Sequence, residues 1–209
     1  LVKIFHYTPF SKKELKDAST SISDGQRIKF LTSNIRKNNR QAELFLRHEE
    51  RYSPDILLII EADGWWEGQL KKIEGKYSHF VKYPLENTYG MLLYSKFPLK
   101  NAEVKFLIDE QIPSIHTEVE LPSGRSFQFI AVHPEPPAPS QHTKERDAEL
   151  LLVGHLTNSI SVPCLIAGDL NDVGWSPVTK KFQKESCLLD PRKGRGVYAT
   201  YNAQFPLMQ

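Results

Sequence analysis

Cysteine, net charge and long apolar runs are all scarce in this chain of 209 residues. Cys164 and Cys187 are the only cysteines and form no Cys-x-x-Cys pair, so the sequence gives no basis for a disulfide framework or a thiolate metal or redox site. Nor do they decide a compartment. Cys164 falls in an apolar run and reads as a small core residue. The 27 basic and 25 acidic residues leave a net charge of +2. The basic residues are scattered in pairs such as Lys12/Lys13, Lys71/Lys72 and Lys180/Lys181, whereas a dedicated duplex binder concentrates them. No stretch approaches the ~20 apolar residues of a membrane span, and nothing resembles a signal peptide. Internal repeats, low-complexity segments and domain-separating linkers are also missing. What remains is the composition of one large α/β domain with a substantial core.

Residues 163–172, PCLIAGDLND, carry the strongest positive signal. The apolar run is too short and too abruptly ended for a helix, and predicts a strand buried on both faces. Gly168 permits a sharp exit that delivers Asp169 and Asn171 at a sheet edge. Residues two apart on an extended segment point the same way, so this carboxylate and carboxamide suit a metal, a water or a phosphate oxygen. The arrangement recurs. Residues 28–34, IKFLTSN, end in Asn34; residues 56–63, ILLIIEAD, end in Glu61 and Asp63; residues 127–133, FQFIAVH, end in His133 and are stopped by Pro134. Taken singly, an Asn after a strand is a turn residue and an Asp-x-Asn is an Asx-turn. Four such strand ends in succession point to one site, because ligands of layered α/β proteins gather where strands give way to loops. Two carboxylates, two carboxamides and an imidazole describe a hard-cation site with phosphate-binding groups.

These segments resemble the endonuclease/exonuclease/phosphatase family, which includes pancreatic-type deoxyribonuclease, abasic-site endonucleases, sphingomyelinases and inositol-polyphosphate phosphatases. SNIR (Asn34), IIEAD (Glu61), GMLLYSKFPL (residues 90–99), AVHPEPP (His133) and GDLND (Asp169, Asn171) follow the family's order over nearly the whole chain from about Arg27. The resemblance implies a two-sheet α/β sandwich with helices on the outer faces, and metal-dependent hydrolysis of a phosphoester bond. It implies Mg²⁺ or Mn²⁺ held by Glu61 with Asn34, Asp169 orienting or deprotonating the attacking water, and Asn171 hydrogen-bonding the phosphate. His133, near its ordinary pKa of ~6.5, would donate to a phosphate oxygen or the leaving group. Nucleic acid, a phospholipid headgroup, an inositol phosphate and a small phosphodiester all remain open as substrates, the near-neutral charge leaning against duplex DNA.

The family's last motif, an Asp-His on a C-terminal strand, is absent, since no Asp-His pair occurs in the sequence. Residues 200–209, TYNAQFPLMQ, resemble the segment just ahead of it. The expectation is a final strand beyond Gln209. The alternatives are a catalytically degenerate member that binds a phosphorylated ligand or partner, and a phosphate-free interaction module. LVKIFHYTPF resembles the tether of a membrane-linked bacterial branch of the family. Residues 1–26 are therefore expected as a tether or edge segment, and residues 27–209 as the catalytic domain of a monomer.

Elsewhere, residues 40–52, 144–156 and 177–184 predict helices, the second amphipathic and the third with Ser176 as its N-cap. Asp63 is expected to begin a loop running into a short helix, with Trp65 and Trp66 covering a core edge or flanking a groove. PRKGRG, residues 191–196, is either a solvated loop or a phosphate contact. The prolines of HPEPPAPS, residues 133–140, stiffen the presentation of His133. The other six histidines carry no motif.

Overall fold

A strand made only of isoleucine and leucine has to be covered on both faces, and β2 (Ile56–Ile60) is completely buried. Ile56, Leu58 and Ile60 point into one apolar cluster, Leu57 and Ile59 into another. The alternation of side chains across a strand thus divides one apolar run between two interfaces. The computed structural model that shows this describes residues 2–19, 27–137, 143–196 and 198.

β2 lies in a four-stranded sheet with β1 (Phe30–Asn34), β3 (His79–Tyr83) and β4 (Met91–Ser95), in the order β1-β2-β4-β3. A second sheet runs β5 (Leu99–Phe106), β6 (Pro113–Glu120), β7 (Ser126–Val132), β8 (Cys164–Gly168). Between the sheets, Ile56, Leu58, Ile60, Met91 and Leu93 meet Ile115, Val119, Phe129 and Ala131. Helices α1 (Ala42–Tyr52) and α2 (Gly64–Leu70) lie on the outer face of the first sheet, where Trp66 and Leu70 cover Leu57, Ile59, Leu92 and Tyr94. Helices α3 (Lys144–Asn158) and α4 (Pro177–Ser186) cover the second sheet, with Val153 and Phe182 against Ile130 and Val132. The expected two-sheet α/β sandwich with outer helices is the fold observed.

Each sheet contains one parallel pair, β1 with β2 and β7 with β8; the other pairings are antiparallel. Parallel neighbours need a crossover, supplied by α1 in the first sheet and α3 in the second. Each pair therefore ends its two strands side by side: Asn34 lies opposite Ile60, and Val132 opposite Gly168.

Several expectations change. Residues 2–7, expected to be extended, form a 3-10 helix whose Tyr7 is buried against Trp175. PRKGRG is a partly exposed loop whose charges are used within the protein. Arg192 pairs with Asp190, Lys193 with Glu14 and Arg195 with Asp17, and the Gly194 N–H donates to the His6 carbonyl, so this loop holds the N-terminal segment in place. β8 is not buried on both faces: among the described residues it is the outermost strand of its sheet, Leu165 is exposed and Cys164 only half-buried. α3 is not cleanly amphipathic, because Arg146 and Glu149 are buried and Leu156 is exposed. Residues 138–142 and 199–209 lie outside the described residues, and with them part of HPEPPAPS and the expected C-terminal strand. No described helix is long and apolar enough to cross a membrane.

Candidate active site

The paired strand ends deliver the site. Asn34 closes β1 and Glu61 follows β2; His133 follows β7 and Asp169 follows β8. The side chains meet across the gap between the sheets. Asn34 Nδ2 donates to Glu61 Oε1 at 2.8 Å and to Asp169 Oδ2 at 3.2 Å, so one carboxamide joins a carboxylate from each sheet. Asn34 Oδ1 accepts from the Arg36 N–H at 3.0 Å, and Glu61 Oε2 accepts from the Lys37 N–H at 3.2 Å. Glu61 itself takes a left-handed backbone, φ +63°. The adjoining Ala62 is fixed by its N–H to the Gly90 carbonyl and by its carbonyl to the Leu85 N–H.

The GDLND segment leaves the sheet sharply, as expected, at Gly168 with φ +144°. Asp169 and Asn171 are not an extended pair, however. The Asn171 N–H donates to Asp169 Oδ1 at 3.1 Å and Asn171 has φ +49°, an Asx-turn. The Asn171 side chain reaches the other loop, donating from Nδ2 to the Pro134 carbonyl at 2.8 Å. The turn and the site are therefore one structure. All five predicted side chains belong to it: Asn34, Glu61 and Asp169 by direct bonds, Asn171 through Asp169 and Pro134, and His133 through its electrostatic contact with Asp169 and Glu61.

His133 is buried beneath the Tyr89 ring, centroids 5.4 Å apart, and its Nδ1 has no hydrogen-bond partner among the described residues. Burial pushes its pKa below the ordinary value, and the opposing pull of Asp169 and Glu61 does not restore it. The buried environment therefore favours the neutral form of the ring. A neutral imidazole keeps one donor and one acceptor nitrogen.

Two groups at the site carried no signal in the sequence. Arg146, on the first turn of α3, donates from Nη1 to the Asn171 carbonyl at 2.9 Å and lies 3.8 Å from Asp172. Asp172 in turn accepts from the Ser176 and Thr179 hydroxyls at the start of α4. The other is Tyr89, whose place over His133 comes from the loop ahead of β4. Arg146 sits among charged residues on a helix, a pattern that reads as a solvated face.

Among the described residues no group of three or more His, Cys, Asp or Glu side chains is gathered for a metal ion. The donor set nevertheless suits a hard dication that keeps most of its waters. Such an ion needs one or two carboxylates and neutral oxygens, which Glu61, Asp169 and the Asn34 carboxamide bring together.

The sequence matches the profile of the Endonuclease/Exonuclease/phosphatase family over residues 31–208. The chain belongs to this family. Its fold is shared at low identity by solved structures of several proteins. A humanized D. rerio TDP2 carrying 14 mutations is 17% identical, with a TM-score of 0.60 over 70% of this chain and 63% of that one. The chain thus spans less than two thirds of that TDP2. Beta toxin from Staphylococcus aureus is 16% identical, TM-score 0.63, over 78% and 73% of the two chains. The human nocturnin catalytic domain is 21% identical, TM-score 0.61, over 76% and 70%. No curated protein sequence matches the chain. The family's own description joins endonucleases, exonucleases and phosphatases.

Proposed function

We propose that the protein hydrolyses phosphodiester bonds with a divalent metal, Mg²⁺ or Mn²⁺, at Asn34, Glu61, His133, Asp169 and Asn171. The observation that carries this is the Asn34 carboxamide drawing one carboxylate from each sheet to a single donor atom. Two carboxylates brought so close repel each other, and a cation between them relieves that repulsion. Glu61, with Asn34 beside it, would hold the ion, which when bound supplies charge stabilisation to the phosphate and the departing oxygen.

The chain's own residues do the rest. Asp169, its Oδ1 fixed by the Asn171 N–H, orients the attacking water and accepts its proton at Oδ2. One Asn171 Nδ2 hydrogen is held by Pro134, leaving the second for a phosphate oxygen. His133, neutral and shielded by Tyr89, donates a single N–H to the phosphate. Arg146 keeps the Asp169–Asn171 turn in place from behind. Two observations on neighbours favour this ligand class: the human nocturnin catalytic domain carries a bound sulfate, and D. rerio TDP2 was captured with a single-strand DNA product. The balanced charge of the present chain favours small or single-stranded phosphodiesters over a duplex.

Hydrolysis of bis(p-nitrophenyl) phosphate in Mg²⁺, Mn²⁺ or EDTA tests the reading. Turnover in either metal, abolished by EDTA, is expected. Binding of the diester without turnover in any metal would leave a binding protein in place of an enzyme.

A further inference from the structure

A cavity of about 590 Å³ opens between the N-terminal 3-10 helix and the start of α4, and none of the five candidate site residues lines it. Its lining holds Lys3, Lys12, Lys13, Lys180 and Lys193 against a single acid, Glu14. In a chain with 27 basic and 25 acidic residues this imbalance is local. Part of it is neutralised within the protein. Lys13 pairs with Asp17, and Lys193 binds Glu14 at 3.1 Å and Gln183 at 2.9 Å. Glu14 is fully engaged, its other oxygen accepting from the Asp190 N–H at 2.7 Å. Lys3, Lys12 and Lys180 have no ionic partner among the described residues.

Three unpaired ammonium groups around one cavity repel each other, and an anion between them would remove that repulsion. Gly174 and Trp175 in the wall lead directly into α4, whose N-terminus is already capped by Ser176 and the Asp172 carboxylate, so the positive potential of the cavity comes from its lysines. Trp175 also packs edge-on against buried Tyr7, 5.9 Å between ring centroids. The buried Tyr7 hydroxyl behind it faces the Asp190 carboxylate, which Arg192 neutralises, and so turns to the protein's own ion pair. The volume exceeds a bare phosphate and falls in the range of small-molecule sites.

We propose that this cavity, rimmed by Lys3, Lys12 and Lys180 and backed by Trp175, is a second site that binds a phosphate-bearing anion. The phosphate can arrive free or on a lipid headgroup. Phe5 and Phe10, exposed on the segment that forms one wall, give the lipid-borne form a place to rest its apolar part.

The test uses the whole protein in EDTA, so that the metal-dependent site contributes nothing, with two probes: inorganic pyrophosphate by titration calorimetry, and cosedimentation with phosphatidylcholine vesicles with or without phosphatidylinositol phosphate. Lys12→Glu/Lys180→Glu is compared with Lys71→Glu/Lys72→Glu, which makes the same change in net charge on the opposite side of the sandwich. The cavity pair should weaken binding at least tenfold while the control pair stays near the unaltered protein. Loss confined to pyrophosphate identifies a free ligand, and loss of vesicle binding identifies a lipid headgroup. Absence of binding to both probes, or equal weakening by both pairs, overturns the proposal. Activity at the other site is not measured, so the catalytic reading stands or falls separately.

Discussion

Glu61 holds its carboxylate from a left-handed backbone at the end of a fully buried strand. A residue with a Cβ is disfavoured there by on the order of 1 kcal/mol, and the surrounding hydrogen bonds keep it in place. Its assigned role separates from that of Asp169 by experiment. Glu61→Gln should raise the Mg²⁺ concentration needed for half-maximal activity, whereas Asp169→Asn should lower turnover by ~10²-fold with little change in that concentration. Metal titrations of diester hydrolysis measure both, and full activity in both variants would remove the assignment. Glu149 offers a separate test. Buried on α3 with Oε1 unpartnered, its carboxyl is pushed up to about 7, by burial first and Asp109 second. Between its unfolded value near 4.5 and about 7 the folded protein keeps a proton that the unfolded chain releases. Its contribution to stability is thus complete below that window and lost as pH rises through it, on the order of 3 kcal/mol in all. Glu149→Gln should flatten the fall in melting temperature between pH 5 and pH 8; an unchanged pH profile would contradict the shift.

Helix α2 begins at Asp63, whose Oδ1 accepts from the Trp66 N–H at 3.0 Å while both oxygens take the Arg40 guanidinium, at 3.0 and 2.6 Å. Burial works against this carboxylate, but those bonds outweigh it and hold its pKa below the ordinary range. Asp63→Ala removes the cap and leaves a buried N–H without its acceptor, so a loss of about 2 kcal/mol is expected by denaturant unfolding. Asp63→Asn should lose less, because it keeps the cap. At this scale the sequence was readable where apolar content and element period agreed. β2 and β7 are apolar runs with a hard stop, and α4 carries its own Ser176 cap. β6, PSIHTEVE, was not readable because polar side chains occupy its buried positions. Ser114 donates to the Lys105 carbonyl and contacts His116 Nε2, and Thr117 donates to the Lys100 carbonyl. Such pairing with a neighbouring strand leaves no mark in hydropathy. β5, mostly exposed, and β3 gave no signal for the related reason that edge positions tolerate charge. The convergence of the five candidate residues was readable because each follows an apolar strand. Arg146 was not, since nothing local distinguishes a buried arginine that reaches another loop from one in water.

The sandwich brings together carboxylates from two sheets that are otherwise joined by apolar packing, so a cation bridging them should stabilise the whole domain and not one loop. If Mg²⁺ binds only the folded state, a concentration 100-fold above its dissociation constant adds about 2.7 kcal/mol. A rise in the melting temperature with Mg²⁺, absent in Glu61→Gln, is the expected result in thermal denaturation. A melting temperature indifferent to the metal would place the ion elsewhere or make its binding weak. The N-terminal segment belongs to the same account. Its ties to residues 190–195 include the ion pairs Lys193–Glu14 and Arg195–Asp17 near the surface, so raising the salt concentration should loosen this segment before the core, as hydrogen exchange would register.

Gly168 and Val132 face each other on the last rung of β7 and β8, immediately before Asp169 and His133. A Cβ on residue 168 would sit 1.8 Å from the Val132 carbonyl oxygen. The spacing between the imidazole and the carboxylate is therefore set by main chain against main chain, with no side chain available to adjust it. For the evolution of specificity this rung acts as a ruler. Loops around the mouth can lengthen and change composition without touching this rung, whereas even one added methyl at residue 168 would force the two strand ends apart.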